Sequence, residues 1–229
     1  MTHPTDSPID GVVVTVSAEA VHVSGTRALR VLSSAVLGGG YHETHDIINV
    51  HVHKDYDGAR PEDDLAAFAS RCGAGDDVVG LMTAAETQFA ALEVACRDGL
   101  TVAAVVSMGL SNVASAGVTP PAPPPPGTIN AIILVDGQLT PAAMVNAVIT
   151  VTEAKALALT EWDVRTADGD PAAGTSTDSV VVACTGAGEE LRYAGTATTV
   201  GWLIARTVRD AIERICREKV ARDGGRFGW

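Results

Sequence analysis

A continuous apolar strand handed directly to a capped helix is what most limits the folds open to this chain. In TINAIILVDGQLTPAAMVNAVITVTEAKALAL (128–159), the run AIILVD reads as a buried strand, over 128–136. Thr140 and Pro141 then open a helix over 140–159, with Thr140 as N-cap and Pro141 at the first helical position. A buried strand needs cover, and the helix that follows it supplies some, so the chain must build layers. Composition agrees: apolar residues make up 46% and aromatic ones only 4%. Small aliphatic side chains packed closely suit a sheet covered by helices.

Other segments repeat these signals. GVVVTVSAEAVHVSG (11–25) alternates as a strand or two short ones, RALRVLSSAVLGGGY (27–41) is a strand running into a triple glycine, and IINVHVHKDY (47–56) is another. PEDDLAAFASRCG (61–73) carries proline and three acids at its start and glycine at its end, as a helix should. DDVVGLMTAA (76–85) is a strand. Residues 88–110 read as a hairpin turning at Asp98-Gly99, with a helix over 87–97 as the alternative. DSVVVACT (178–185) and ELRYAGT (190–196) are strands, and 198–220 is a long helix. The order is not a regular βαβ alternation, which disfavours a doubly wound fold. The expected class is α/β, more closely α+β: a layered sandwich of mixed or antiparallel sheets covered by helices, with an αββα stack as its fullest form. One domain is expected over 1–229, with flexible ends at 1–10 and 221–229 and a Pro-rich surface segment at 115–127.

The net charge of −12 argues against a nucleic-acid partner, because phosphate backbones are held by clustered Lys and Arg. The four cysteines form no C-x-x-C and match no zinc module. The N-terminus lacks a basic and an apolar region of signal type, and no apolar run approaches the roughly 18 residues of a membrane span. The expectation is a cytoplasmic protein without a membrane partner. GGG at 38–40 and GTIN at 127–130 complete neither phosphate-binding glycine motif, which argues against a kinase or NTPase.

Three sets of residues are candidates for chemistry. His42, His45, His51 and His53 fall within twelve residues. His51 and His53 share one face of a strand, so a zinc hydrolase is one alternative and a solvated edge the other. On the helix 140–159, Met144, Val148, Val151 and Lys155 share a stripe, while Asn146, Thr150 and Glu153 form a polar one nearly opposite. Lys155 either snorkels at the helix end or is buried with a partner. Finally, Thr128 and Asn130 lie on one side of their strand, and Thr175, Thr177 and Asp178 crowd the start of the next. Hydroxyl, amide and carboxylate together suit acyl transfer, and they also suit ordinary β-turns.

SSAVLGGGY, IINVHV, VVGLMTAA, VVSMGLSNVASAG, GTINAIILVDGQLT, VTEAKALAL and GTSTDSVVVA occur in this order over about residues 30–215, and together they resemble the adenosylcobinamide amidohydrolase family. The resemblance implies hydrolysis of the amide joining the corrin side chain to aminopropanol, giving adenosylcobyric acid for coenzyme B12 salvage. It implies no protein-held metal or other cofactor, since the cobalt is carried by the corrinoid substrate. A non-catalytic corrinoid-binding protein is the alternative of a different class, and a homo-oligomer is an open expectation. The catalytic candidates at matching positions are Thr128, Glu153, Lys155 and Asp178. The substrate-binding candidates are Gly39, Gly40, Asn49, Thr83, Asn112, Asn130, Thr175 and Thr177. A weaker likeness, G-T-I-x before a long helix and then G-T-x-x-D, is similar to the D-aminopeptidase and ornithine acetyltransferase group. There a Ser or Thr at the position of Thr128 is the nucleophile, exposed by self-cleavage just before it. That likeness implies Asn130 or Asn112 as oxyanion support. In an uncleaved chain it leaves the base to Lys155, Glu153 or Asp178.

Overall fold

The long strand that links the two halves of the molecule is itself bent. The computed structural model describes residues 3–5, 9–122 and 126–222. In it, thirteen strands run as β1 (His3–Thr5), β2 (Val12–Val16), β3 (Ala20–Ser33), β4 (Gly40–His51), β5 (Val79–Thr83), β6 (Ala91–Arg97), β7 (Leu100–Met108), β8 (Val113–Ala114), β9 (Ile129–Asp136), β10 (Gln138–Leu139), β11 (Gly174–Thr175), β12 (Ser179–Cys184) and β13 (Glu190–Leu191). The helices are α1 (Pro61–Cys72), α2 (Pro141–Glu161) and α3 (Thr199–Arg222). Nine strands make one mixed sheet, ordered β1-β2-β3-β12-β9-β7-β6, with β4 on β3 and β5 on β4. The register between β3 and β4 shifts between Ser24 and Leu29. A bulge there bends β3, so that β2 pairs with its first half and β12 with its second.

The sheet therefore folds over itself, and strand parity sorts the apolar residues into three cores. Ile129, Ala131, Ile133 and Val135 of β9 pack with Met144, Ala147 and Val151 of α2 and with Leu203, Ile204 and Val208 of α3. Ile132 and Leu134 point the other way, into a core shared with Val105 of β7, Val181 of β12, Ile47 of β4 and Leu81 of β5. On the outer side of β4, Ile48 and Val50 pack against Leu65 and Ala69 of α1. The order of layers is thus α2/α3, sheet, sheet, α1: an α+β fold in its αββα form.

Several element boundaries differ from expectation. Residues 11–33 give β2 and a fourteen-residue β3, and the predicted strand over 27–41 breaks at Ser33 because residues 34–39 turn the chain into β4. The strand expected over 47–56 ends at His51, and that over 190–196 shrinks to two residues. The hairpin at Asp98-Gly99 forms, with both residues at positive φ (53° and 80°) as a tight two-residue turn demands. The alternative helix over 87–97 reduces to a single 3-10 turn, Thr87–Phe89. The start of the chain is less loose than expected: β1 pairs with β2, and Ile9 is buried in the inter-sheet core. Residues 1–2 and 6–8, the prolines 123–125 and residues 223–229 lie outside the described residues; 221–222 close α3. Residues 117–122 of the Pro-rich segment are exposed. By length and mean hydropathy (1.4), α2 reaches what a membrane span needs, contrary to the expectation that no apolar run would. Its apolar residues are spaced by Thr and Ala, and its inner side is core.

Candidate active site

At one end of the sandwich, five inward-facing rows of the inter-sheet core finish in polar side chains. Ile47 is followed two residues on by Asn49, Leu81 by Thr83, and Val105 by Ser107. On the strands running the other way, Ile132 is preceded by Asn130 and Thr128, and Val181 by Ser179. Strand alternation alone forces these groups together. Asn49, Thr83, Ser107, Thr128 and Asn130 are each 5% exposed or less, so they must satisfy one another.

They do so in a directed chain. Both Nδ2 hydrogens of Asn130 are committed, to Asn49 Oδ1 at 2.9 Å and to the Met82 carbonyl at 2.8 Å. Asn49 in turn donates to Ser107 Oγ at 2.8 Å. The orientation of the Asn130 amide is thereby fixed, with Oδ1 facing the Thr128 hydroxyl at 3.1 Å; the Thr177 carbonyl is the second acceptor, at 2.8 Å. The hydroxyl's only hydrogen is drawn inward by two neutral acceptors. Thr128 also lines an open cleft of about 380 Å³, with Gly127, Thr83, Thr177 and Ser179 beside it and Val36, Val52, His53, Lys54 and Tyr56 at the rim. Thr83 Oγ1 accepts the Ala85 N–H at 3.0 Å. The Tyr56 hydroxyl donates to Asp64 of α1 at 2.6 Å, and this bond, with burial and the carboxylates of Asp64, Asp57 and Glu62, pushes the phenol up to about 12.

The four catalytic candidates do not converge. Asp178 belongs to the helix-facing row of β12, with Val182 and Cys184, so the sheet lies between its carboxylate and the cleft. There Asp178 pairs with Lys155 of α2 and accepts from the hydroxyl and the N–H of Thr175 and from the N–H of Ile129 at 3.0 Å. Of the two expectations for Lys155, burial with a partner is the one found. Gly174 is required here by proximity: a Cβ on it would lie 2.6 Å from Lys155 Nζ and would overlap the Asp178 carboxylate. The pair ties the loop at 174–178 to α2 and to the peptide that follows Thr128. Glu153 is a correction: it is exposed, in a groove with Leu157, Trp202 and Arg206, because its place on α2 faces away from the sheet. Thr150, expected on the same polar stripe, is buried and donates to the Ala194 carbonyl at 2.8 Å.

Among the substrate-binding candidates, Thr83, Asn130 and Thr177 line the cleft. Asn49 lies behind Asn130, and Thr175 is occupied by Asp178. Gly39 and Gly40 turn the chain between β3 and β4, and Val36 of the same turn is the one that reaches the cleft. Asn112 donates to Ser176 Oγ at 3.0 Å, and a Cβ on Gly127 would fall 2.5 Å from its buried, unpaired Oδ1. Asn130 has no N–H left for an oxyanion, which corrects that role. The histidines are apart in their contacts: His45 faces Asp77, His51 Nδ1 faces the Ala85 carbonyl, His53 lies past the end of β4 beside Asp55, and His42 sits on β4 opposite Val31. No group of three metal-binding side chains forms among the described residues. His51 and His53 fail to share a strand face because β4 stops between them. Ser107 was not singled out in the sequence, although its place in the row Ala103–Val105–Ser107 marks it as inward-facing.

The molecule is a layered α+β frame with a fixed hydroxyl at the mouth of its inter-sheet core, and its sequence places it in a family of hydrolases. The chain belongs to the adenosylcobinamide amidohydrolase family, whose sequence profile matches residues 5–223. It is 32% identical over 189 residues to an adenosylcobinamide amidohydrolase of Methanosarcina mazei, covering 79% of this chain and 86% of that one. It is 38% identical over 154 residues to one of Halobacterium salinarum, covering 64% of this chain and 60% of that one. Among solved structures, a Burkholderia β-aminopeptidase superposes with a TM-score of 0.44 at 15% identity, covering 93% of this chain and 82% of that one; this is too loose to bear on mechanism.

Proposed function

We propose that this protein hydrolyses the amide joining the corrin side chain of adenosylcobinamide to aminopropanol, with Thr128 as nucleophile and no metal held by the protein. The observation that carries the proposal is the directed chain Ser107–Asn49–Asn130–Thr128, which fixes a buried hydroxyl on the wall of an open cleft. A cleft of about 380 Å³ takes an amide arm, and the much larger corrin ring lies across the mouth, against Val36, Val52 and Tyr56. The cobalt arrives with the substrate. The four cysteines are free, which suits the reducing cytoplasm.

Thr128 Oγ1 adds to the amide carbon, the C–N bond breaks, and the hydroxyl proton ends on the departing amine. Water then cleaves the resulting ester and restores the hydroxyl. Asn130 Oδ1 and the Thr177 carbonyl are not bases, and Lys155 and Asp178 make no bond to Thr128. We assign proton transfer to His53, the imidazole on the cleft rim. The Thr83 hydroxyl, whose oxygen already accepts the Ala85 N–H, has its hydrogen available for the developing oxyanion. Lys155 and Asp178 act as positioning residues, through the Ile129 peptide.

The test is a mass-spectrometric search for adenosylcobyric acid and aminopropanol after incubation with adenosylcobinamide, with and without chelator. Release that survives the chelator is expected, as is a loss of roughly a thousandfold or more in kcat for Thr128→Ala. Release abolished by chelator restores a metal to the mechanism. Near-full activity of Thr128→Ala passes the attack to water, and tight binding without release makes the protein a corrinoid binder. The intact mass distinguishes an uncut chain from one opened before Thr128, whose new α-amino group would replace His53 as base.

A further inference from the structure

The rim of the cleft is its least supported part. Residues 52–60, between β4 and α1, form neither strand nor helix, and only Val52 and Tyr56 among them are not exposed. Backbone with so little burial opens readily unless something ties it down. Yet this segment brings His53, Lys54 and Tyr56 to the cleft. Some of its hydrogen bonds are internal: the Tyr56 N–H donates to the His53 carbonyl at 2.9 Å, and the Ala59 N–H to Asp57 Oδ1 at 3.0 Å. Two others fasten it to the frame. At one end the Val52 N–H donates to the Thr83 carbonyl of β5 at 2.9 Å. After that, among the described residues, 53–59 make one hydrogen bond to the rest of the molecule, from the Tyr56 hydroxyl to Asp64 Oδ2 at 2.6 Å.

We propose that Asp64, acting through Tyr56, is a positioning residue that holds the rim segment, and His53 with it, at the cleft. The inference rests on the roles given above to Thr128 and His53. Asp64 does not itself line the cleft, so its effect passes through Tyr56. Its own footing is firm. It lies in the first turn of α1, where the helix dipole favours a carboxylate, and the next residue, Leu65, is fully buried in the core that holds Ile48 and Val50 of β4. A hydroxyl donating to a carboxylate belongs to the stronger class of hydrogen bond. The same bond contributes most to pushing the phenol up to about 12, so the donor keeps its proton through the neutral range. From the ring, the hold reaches His53 in one step, because the Tyr56 amide bonds the His53 carbonyl directly.

Kinetics and hydrogen–deuterium exchange on the full chain test this. Asp64→Ala and Tyr56→Phe, which keeps the ring, should each lower kcat on adenosylcobinamide about tenfold with KM little changed, since misplacing a reacting group by about 1 Å is costly. In a His53→Ala background, itself slow, neither should lower kcat further, because no imidazole is left to place. Asp63→Ala, one residue away and paired with Arg60 at 3.7 Å, should leave kcat unchanged. The backbone amides of 52–60 should exchange several-fold faster in Asp64→Ala than in the parent, and not in Asp63→Ala. Full kcat in both Asp64→Ala and Tyr56→Phe, or a loss that persists undiminished in the His53→Ala background, overturns the positioning role and leaves the reaction standing. Full kcat in His53→Ala removes His53 from the reaction, and the positioning role falls with it. Should the parent release no aminopropanol, the proposed reaction fails by itself, and exchange in 52–60 still judges the hold: faster in Asp64→Ala sustains it, unchanged overturns it.

Discussion

Asn130 is the residue on which the site turns, because its amide has no freedom left. Both of its hydrogens are taken inside the core, and its oxygen holds the Thr128 hydroxyl. Ser107→Ala should be felt at Thr128 although it touches no substrate: Asn49 loses its acceptor, and a buried unsatisfied donor costs about 1–3 kcal/mol. We expect the free energy of unfolding in urea to fall by that amount and kcat to fall with KM little changed; Ser107→Thr, which retains the hydroxyl, should recover part of both. Unchanged kcat in Ser107→Ala would show that the chain is structural alone. At this scale the sequence was partly legible. Thr128 and Asn130 were visible as neighbours on one strand face, and Lys155 as a lysine interrupting an apolar stripe. Ser107 was hidden because a lone serine in VVSM carries no signal until strand parity and the end of the sandwich are known. Glu153 entered through the family match alone, although the helix period already set it about 200° of rotation from Lys155.

Among the elements, two glycines make opposite demands. Gly99 needs only its positive φ of 80° in the β6–β7 turn, and a Cβ there would meet nothing within 4 Å. Gly99→Ala should therefore cost about 1 kcal/mol from backbone strain and lower the melting temperature without affecting catalysis. Gly174→Ala should be far worse, since its Cβ would occupy the space of the Lys155–Asp178 pair. Forcing apart two side chains that are each 12% exposed leaves a nearly buried charge unmatched, and breaking such pairs costs about 3–5 kcal/mol. A denaturant titration that placed Gly174→Ala within about 1 kcal/mol of the parent would show the pair to be soft. The Asp98-Gly99 turn, the start of α2 and the charge-capped α1 could all be read beforehand, because each is decided by local chemistry: φ at the turn, the Thr140 cap, acids at a helix start. The bend in β3 could not, since it is a register shift against β4 and exists only once the strands are paired.

For the whole molecule, the four layers decide which groups solvent can reach, and the cysteines sample them without any assumption about function. Cys72 ends α1 and Cys96 lies on β6, both exposed; Cys184 and Cys216 are buried in the core between the sheet and α2/α3. Burial pushes both inner thiols up, and the nearby Glu213 carboxylate adds to it at Cys216, which reaches about 12. The thiolate is the species that reacts, so near pH 8 these two are protonated as well as shielded. Iodoacetamide should add two groups to the native protein within minutes and four in strong urea, counted by intact mass, with peptide mapping placing the first two on Cys72 and Cys96. Labelling of Cys216 at the rate of Cys96 in the absence of denaturant would mean that α3 leaves the sheet on the labelling timescale. Since α3 contributes Leu203, Ile204 and Val208 to the core that also holds Ile129, the residue after Thr128, that result would make the cleft wall as mobile as the helix. Slow labelling of Cys216, tracking the urea-induced loss of structure, would instead bind the fixed hydroxyl and its covering helices into one cooperative unit.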